Sequence, residues 1–463
     1  MVVRVAELFA GVGGFRLGFE GLPTGPRNDS FKVVWSNQWE PSTKKQHATE
    51  VYVKQWKMIP TDEDPEVYVC EDDENDVHVN KDISTISTDS IPDFDLLCGG
   101  FPCQDYSVAK TANKATGIQG KKGVLWWEIR RIVEAKRPQI VVLENVDRLL
   151  KSPTSQRGRD FAVMLTSLDE LGYVVEWRSI NAADYGFPQR RRRVFILAYV
   201  KDSQQYSKLI DTQPLEYLQK SGVMAQSFPI IPTSHIVPPE FILRDKPNDS
   251  LAEVSEKFNK GAKKTSKSPF KTCGIMRNGK VYTFDCKPKY DGAYTTLGQI
   301  LQKASAIPEE YYIKAEDVLK PKGWQYLKGA KKEKREGTDG FTYSYNEGPM
   351  KFPEPLDKAS RTIITGEGGS TPSRFKHVVA FTPPKSKFKK FGLDTTKHNQ
   401  VRESLGLKKN QWIRRLTPVE LERLNMFPDN HTSGQTDGKR AFFMGNALVV
   451  GIVERLANQL ARL

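Results

Sequence analysis

The sequence predicts an α/β fold built around a parallel sheet, and three observations carry that prediction. Short apolar runs of strand character recur in the first 200 residues, at Val2 to Leu8, Phe31 to Ser36, Asp95 to Gly99 and Gln139 to Val146. Segments with helical spacing of apolar residues alternate with them, at Phe15 to Glu20, Val124 to Lys136 and Asp160 to Leu171. Glycines, aromatics and charges gather where the apolar runs stop, the edge at which an open parallel sheet holds its ligands.

Composition sets the outer limits. A chain of 463 residues with 38% hydrophobic content has room for two or three domains and a sizeable core. Lysine and arginine outnumber aspartate and glutamate 70 to 56, a net charge of +14 that suits a polyanionic partner. No apolar run approaches a membrane span, and Met1-Val-Val-Arg4 leads straight into a strand without a signal peptide, which places the protein in the cytoplasm. The five cysteines are widely spread without a C-x-x-C pair, which argues against a disulfide framework and against a metal site.

The first strand runs into Phe9-Ala-Gly11-Val-Gly13-Gly14, a layout in which backbone amides at a helix start meet a cofactor. The third glycine of a dinucleotide fingerprint would fall at Arg16, which sets a nicotinamide enzyme aside. The second strand ends in Trp39-Glu40, an indole able to stack on a base and a carboxylate able to take ribose hydroxyls. The plainer reading makes Glu40 a helix-start charge and Trp39 packing. Residues 62 to 76 carry nine acids and read as a solvated surface insertion without a role. Asp82 and Ile83, just before the next strand, offer one polar and one apolar contact to a bound purine.

That next strand is the centre of the chain. It ends at Gly99-Gly100, and Phe101-Pro102 then delivers Cys103 into a turn, a thiol held over a cofactor as a nucleophile. An arbitrary cysteine is more often buried packing, but packing needs no such punctuation. Gln104 to Gly123 is polar and glycine-bearing, a lid by its length and position. The strand from Gln139 ends in Glu144-Asn145; a carboxyl in an apolar pocket has a raised pKa and can donate a proton near neutral pH, whereas the bland alternative is a turn cap. After a strand at Tyr173 to Asn181 come Arg190 to Arg193 and a strand at Val194 to Val200. Alternation puts Arg191 and Arg193 on one face, where they can hold a base carbonyl and phosphates.

In this order the blocks resemble a cytosine-5 DNA methyltransferase: Phe9 to Gly14, Trp39-Glu40, Gly100 to Gln104, Glu144 to Val146, Gln189 to Arg193, Arg415 to Pro418 with Phe427-Pro428, and Gly445-Asn446-Ala447. They cover roughly half of the chain. The resemblance implies a doubly wound, Rossmann-like S-adenosylmethionine-dependent domain at residues 1–200 plus 441–463, and a smaller, mostly irregular and β target-recognition domain at 201–440. It implies that Cys103 adds to carbon 6 of a flipped-out cytosine, that Glu144 protonates ring nitrogen 3, and that Arg191 and Arg193 hold the base and activate the thiol. On the same resemblance Phe9, Gly11, Gly13, Trp39, Glu40, Asp82, Ile83, Gly100 and Asn446 line the S-adenosylmethionine pocket, with S-adenosylhomocysteine as product, and Asn145 supports Glu144. The implied partners are double-stranded DNA, met as a monomer, and a cognate restriction endonuclease acting on the same site.

Residues 201 to 440 are rich in lysine and interleaved with aromatics, a composition that fits a DNA-facing module. Arg361 and Arg374 there read as backbone-contacting or loop-bracing. Thr417-Pro418-Val419-Glu420 is a helix-starting capping box, and Ala447 to Leu463 reads as a final helix. Two alternatives stand beside this reading. A tRNA cytosine-5 methyltransferase uses the same motifs, though an insertion of about 240 residues favours duplex DNA. A non-catalytic DNA-binding protein on the same scaffold would not need Cys103, Glu144, Arg191 and Arg193 together.

Overall fold

Strands at the predicted runs assemble into one sheet in the computed structural model, which describes residues 2–101, 125–232, 240–243, 250–260, 267–336, 342–393 and 395–463. In chain order the strands are β1 (Val3–Leu8), β2 (Phe31–Asn37), β3 (Met58–Pro60), β4 (Val67–Cys70), β5 (Asp73–Val79), β6 (Leu96–Gly100), β7 (Ile140–Val146), β8 (Tyr173–Asn181), β9 (Gln189–Arg190) and β10 (Arg192–Val200). They continue with β11 (Ile230–Pro232), β12 (Glu240–Ile242), β13 (Cys273–Arg277), β14 (Lys280–Phe284) and β15 (Cys286–Pro288). The chain divides into two compact units, Met1–Gly186 with Arg191–Gly292 and Val450–Leu463, and Phe187–Arg190 with Ala293–Val449.

The first unit holds a 12-stranded sheet in the order β12, β14, β13, β8, β10, β7, β6, β1, β2, β5, β4, β3. Its middle, β7, β6, β1, β2 and β5, is parallel. Parallel strands buried on both faces need continuous apolar runs, and β7 supplies Val141, Val142 and Leu143, all buried. Burying each such side chain contributes about 1.5–3 kcal/mol. The helices Leu125–Lys136 and Arg159–Glu170 add Trp126, Ile129, Phe161 and Leu165 to the same core. The helix Val450–Leu460 packs against Gly14–Phe19, and Gly18 permits this, because a Cβ there would lie 2.5 Å from the Cβ of Val453.

Two domain boundaries differ from the sequence expectation. Residues 201–292 cluster with the first unit, because β13 pairs antiparallel with β8, Cys273 opposite Arg178, and extends the sheet. Gly274 makes that pairing possible: any side chain there would overlap the Trp177 ring. Residues 441–449 belong to the second unit, where Gly445 ends the helix Asp437–Asn446 against the backbone of Thr365. The acidic segment also differs from a purely solvated insertion. It forms β4 and most of β5 and prolongs the sheet; Asp73 pairs with Lys32, Asp64 pairs with Lys81, and Asp76 is buried.

The second unit mixes short helices with paired strands. β16 (Lys331–Glu336) pairs with β17 (Thr342–Glu347), β18 (Ser360–Arg361) runs parallel to β9, and β19 (Val378–Phe381) pairs with β20 (Trp412–Arg415). Its core gathers Ile307, Trp324, Val378, Val401 and Trp412. The Thr417 capping box forms as expected, with Pro418 at the first helical position, and Glu420 also takes a buried fork from Arg414 at 2.7 Å. Arg361 and Arg374 brace loops: Arg361 pairs with Glu354, and Arg374 pairs with Glu347 and donates to the carbonyls of Leu327 and Gly329. Gln189 is a buried clip, bonded to Asn425 and to the amide of Ile363.

Candidate active site

The carboxyl end of the parallel strands collects most of the sequence-predicted residues of the first unit. β1 leads into a tight loop in which Phe9, Gly11 and Gly13 all have positive φ, 55°, 56° and 81°. Gly13 is obligatory, since a Cβ would fall 2.2 Å from the Trp56 ring beneath it. The loop is tied to the neighbouring strand end: Ala10 N donates to Asn37 O at 3.0 Å and Gly11 N to the Gln38 carboxamide at 2.8 Å. Asn37 in turn donates to the carbonyls of Val79 and Lys81, which fixes the approach to Asp82.

Trp39 is one of the exposed large hydrophobics, 39% accessible beside this loop. Glu40 Oε2 accepts from Ala48 N at 2.9 Å, so one oxygen performs the helix-start role of the plainer reading. Asp82 caps the turn Ile83–Thr85 through Ser84, and Ile83 is buried. An exposed indole, a carboxylate, a capped acidic turn and a glycine loop along one edge fit an adenosyl group with a charged tail. Asn446 ends a helix of the second unit and is exposed there.

The loop rests on a buried polar network that sequence reasoning missed. The Arg16 side chain is bonded to Glu20 and, as a two-toothed fork, to Asp76; its amide donates to Glu7, which also accepts from the Tyr52 hydroxyl at 3.0 Å. Burial pushes the Glu7 carboxyl up to about 7 against the pull of Tyr52 and Arg16. The signal available in the sequence was the arginine itself, inside an otherwise apolar short helix.

On the other side, β6 and β7 run in register with Gly100 opposite Glu144. A Cβ on Gly100 would sit 3.2 Å from Glu144 Oε2, so the glycine makes room for the carboxyl. Arg193 Nε lies 2.8 Å from Glu144 Oε1. Burial pushes the Glu144 carboxyl up, opposed by Arg193 and Arg191. Arg191, buried, is lowered to about 9 by burial and by Arg193, opposed by Glu144. Asn145 donates to the carbonyl of Phe101 at 2.8 Å, clamping the end of β6 two residues before Cys103 in sequence. Cys103, with the lid from Gln104 to Gly123, lies outside the described residues. Cys98, on β6 itself, is a packing thiol: fully buried and pushed well up by burial.

Residues 3–462 match the family model of C-5 cytosine-specific DNA methylase. The chain is 41% identical to the type II methyltransferase M.Sau3AI of Staphylococcus aureus over 100% of this chain and 96% of that protein. It is 32% identical to the type II methyltransferase M.HhaI of Haemophilus parahaemolyticus over 43% of this chain and 50% of that one. Among solved structures, the Spodoptera frugiperda DNMT2 mutant shares the fold, with a TM-score of 0.54 at 12% identity over 99% of both chains.

Proposed function

The chain belongs to the C-5 cytosine-specific DNA methylase family, and on that footing we propose how its residues divide the reaction. Bound at the carboxyl edge of β1, β2 and β5, S-adenosylmethionine supplies an electrophilic methyl group. Phe9, Gly11 and Gly13 would present backbone to it, Trp39 would stack, Glu40 and Asp82 would take its polar groups, and Ile83 and Gly100 would line the floor. Cytosine carbon 5 is a weak nucleophile, and addition of the Cys103 thiolate to carbon 6 raises its electron density. Glu144, its carboxyl raised by burial, gives a proton to ring nitrogen 3 as the thiolate adds. Arg193 orients that carboxyl, and Arg191 and Arg193 together favour the thiolate and hold the base carbonyl.

The observation that carries this reading is the single cluster formed by Glu144, Arg193, Gly100 and the Asn145 clamp just before Cys103. The second unit, Ala293–Val449, reads the DNA sequence, and the base reaches the site by leaving the duplex. The names of the relatives support a restriction endonuclease of the same site as partner and a bacterial cytoplasmic setting; among the described residues no single helix is long and apolar enough to cross a membrane. The enzyme meets DNA as a monomer, which sedimentation with a target duplex checks.

Covalent trapping tests the mechanism. Duplex DNA containing 5-fluorocytosine forms a denaturation-resistant complex with the wild type, and Cys103→Ser abolishes both that complex and methyl transfer while keeping DNA binding. Wild-type turnover by Cys103→Ser overturns the mechanism. Parallel assays on tRNA separate the RNA alternative, and bisulfite sequencing of plasmid from an expressing host gives the target site.

A further inference from the structure

The first unit carries a second concave feature that the reaction does not use. A cleft of about 450 Å³ opens between the segment after β7, the residues entering β10 and the segment leading into β13. Five cations line it, Lys151, Arg157, Arg192, Lys267 and Lys271, against two carboxylates, Asp147 and Asp285. Among the described residues none of the five is in an ion pair. Strand alternation puts Arg192 on the face opposite Arg191 and Arg193, so this cleft is distinct from the Glu144 site.

The walls are rigid. Gly158, at φ 90°, lets residues 157–159 approach the incoming segment so closely that a Cβ would lie 2.7 Å from Ser268 Oγ. Ser268 donates to the carbonyl of Leu150, and Phe270 packs edge-on against Phe161 and Trp177 with ring centroids 4.9 and 5.9 Å away. Asn259 donates to the carbonyl of Arg157 from the far side. With five cations against two carboxylates the concavity keeps a surplus of positive charge, whose mutual repulsion a polyanion relieves. A solvated lysine face would be convex and would not need a glycine and an aromatic cluster to shape it.

We propose that this cleft binds the phosphate backbone of duplex DNA flanking the methylated base, so that the catalytic unit anchors the duplex independently of the second unit. The identity of the polyanion rests on the DNA-methylation reading. The test measures binding of short duplexes of arbitrary sequence as a function of salt. Each lysine–phosphate contact adds roughly 0.9 to the slope of log affinity against log salt. The double variant Lys267→Gln with Lys271→Gln therefore lowers the slope by about 1.8 and weakens binding roughly 10- to 60-fold at 0.1 M salt. Lys151→Gln with Arg157→Gln, on the segment after β7, gives a loss of the same kind. Thermal melting and S-adenosylmethionine affinity stay at wild-type values in both. Unchanged slopes in variants that melt normally overturn the proposal, as does a loss seen with single-stranded RNA but not with duplex DNA. If the slopes fall as expected while the wild type transfers no methyl group, the functional reading fails and the duplex site stands.

Discussion

Arg16 and Arg191 are both buried, 2% and 1% accessible, in the same unit, yet their proton affinities move in opposite directions. Burial lowers both. At Arg16 that pull is outweighed by Tyr52, Asp76 and Glu20, and the guanidinium ends well above its ordinary value. At Arg191 burial is joined by repulsion from Arg193, with Glu144 alone opposing, and the value falls to about 9. The first cluster encloses more negative than positive charge and holds a loop in place. The second encloses two guanidiniums and one carboxyl, and its surplus positive charge is what a thiolate or an electron-rich base would neutralise. Equal burial with unequal neighbours thus shifts two arginines in opposite directions.

Breaking each cluster should therefore fail differently. Arg16→Met leaves Asp76 buried without its cation and lowers stability by about 3–5 kcal/mol; thermal and urea melting read the loss. Glu144→Gln leaves the melting curve in place and lowers kcat by about 100- to 1000-fold, the scale of a lost general acid. If Glu144→Gln instead melts early with normal turnover, the two clusters have been assigned the wrong way round.

A pH experiment sharpens the contrast. Glu7 binds its proton more tightly in the folded chain, near 7, than at the ordinary 4.5. Its contribution to stability is thus fully present below pH 4.5 and lost as pH rises through 7, a swing on the order of 3 kcal/mol. Glu7→Gln should flatten that part of the stability profile between pH 4.5 and 7 when urea midpoints are compared with the wild type. The smallest effect expected is at Gly100→Ala, where a Cβ 3.2 Å from Glu144 Oε2 displaces the carboxyl by a few tenths of an ångström. Turnover then falls about tenfold while the melting curve stays in place.

The same contrast explains what was legible in the sequence. Glu144 and Arg193 were readable because a charge ending an apolar strand is locally anomalous, and strand alternation put the arginines on one face. The role of Arg16 was not readable, because its counter-ion Asp76 lies 60 residues away in a run of acids that looked uniformly solvated. The parallel core was visible as apolar runs, whereas β13 was missed: Cys-Gly-Ile-Met-Arg has no clear alternation, and its pairing with β8 spans about a hundred residues of sequence. Of the two roles weighed for Glu40, the structure displays the helix-start one, since Oε2 accepts from Ala48 N.

The border of the large sheet at β3 has a further effect, on how the protein behaves in a crowded cell. An unpaired strand edge invites another sheet to add on and so begins aggregation. Here the edge strand is three residues long, ends in Pro60, which has no N–H to offer, and runs into Asp62, Glu63 and Asp64. A second molecule approaching edge to edge meets like charge where it would need hydrogen-bond donors, so the acids that hold no ligand still serve as gatekeepers of solubility.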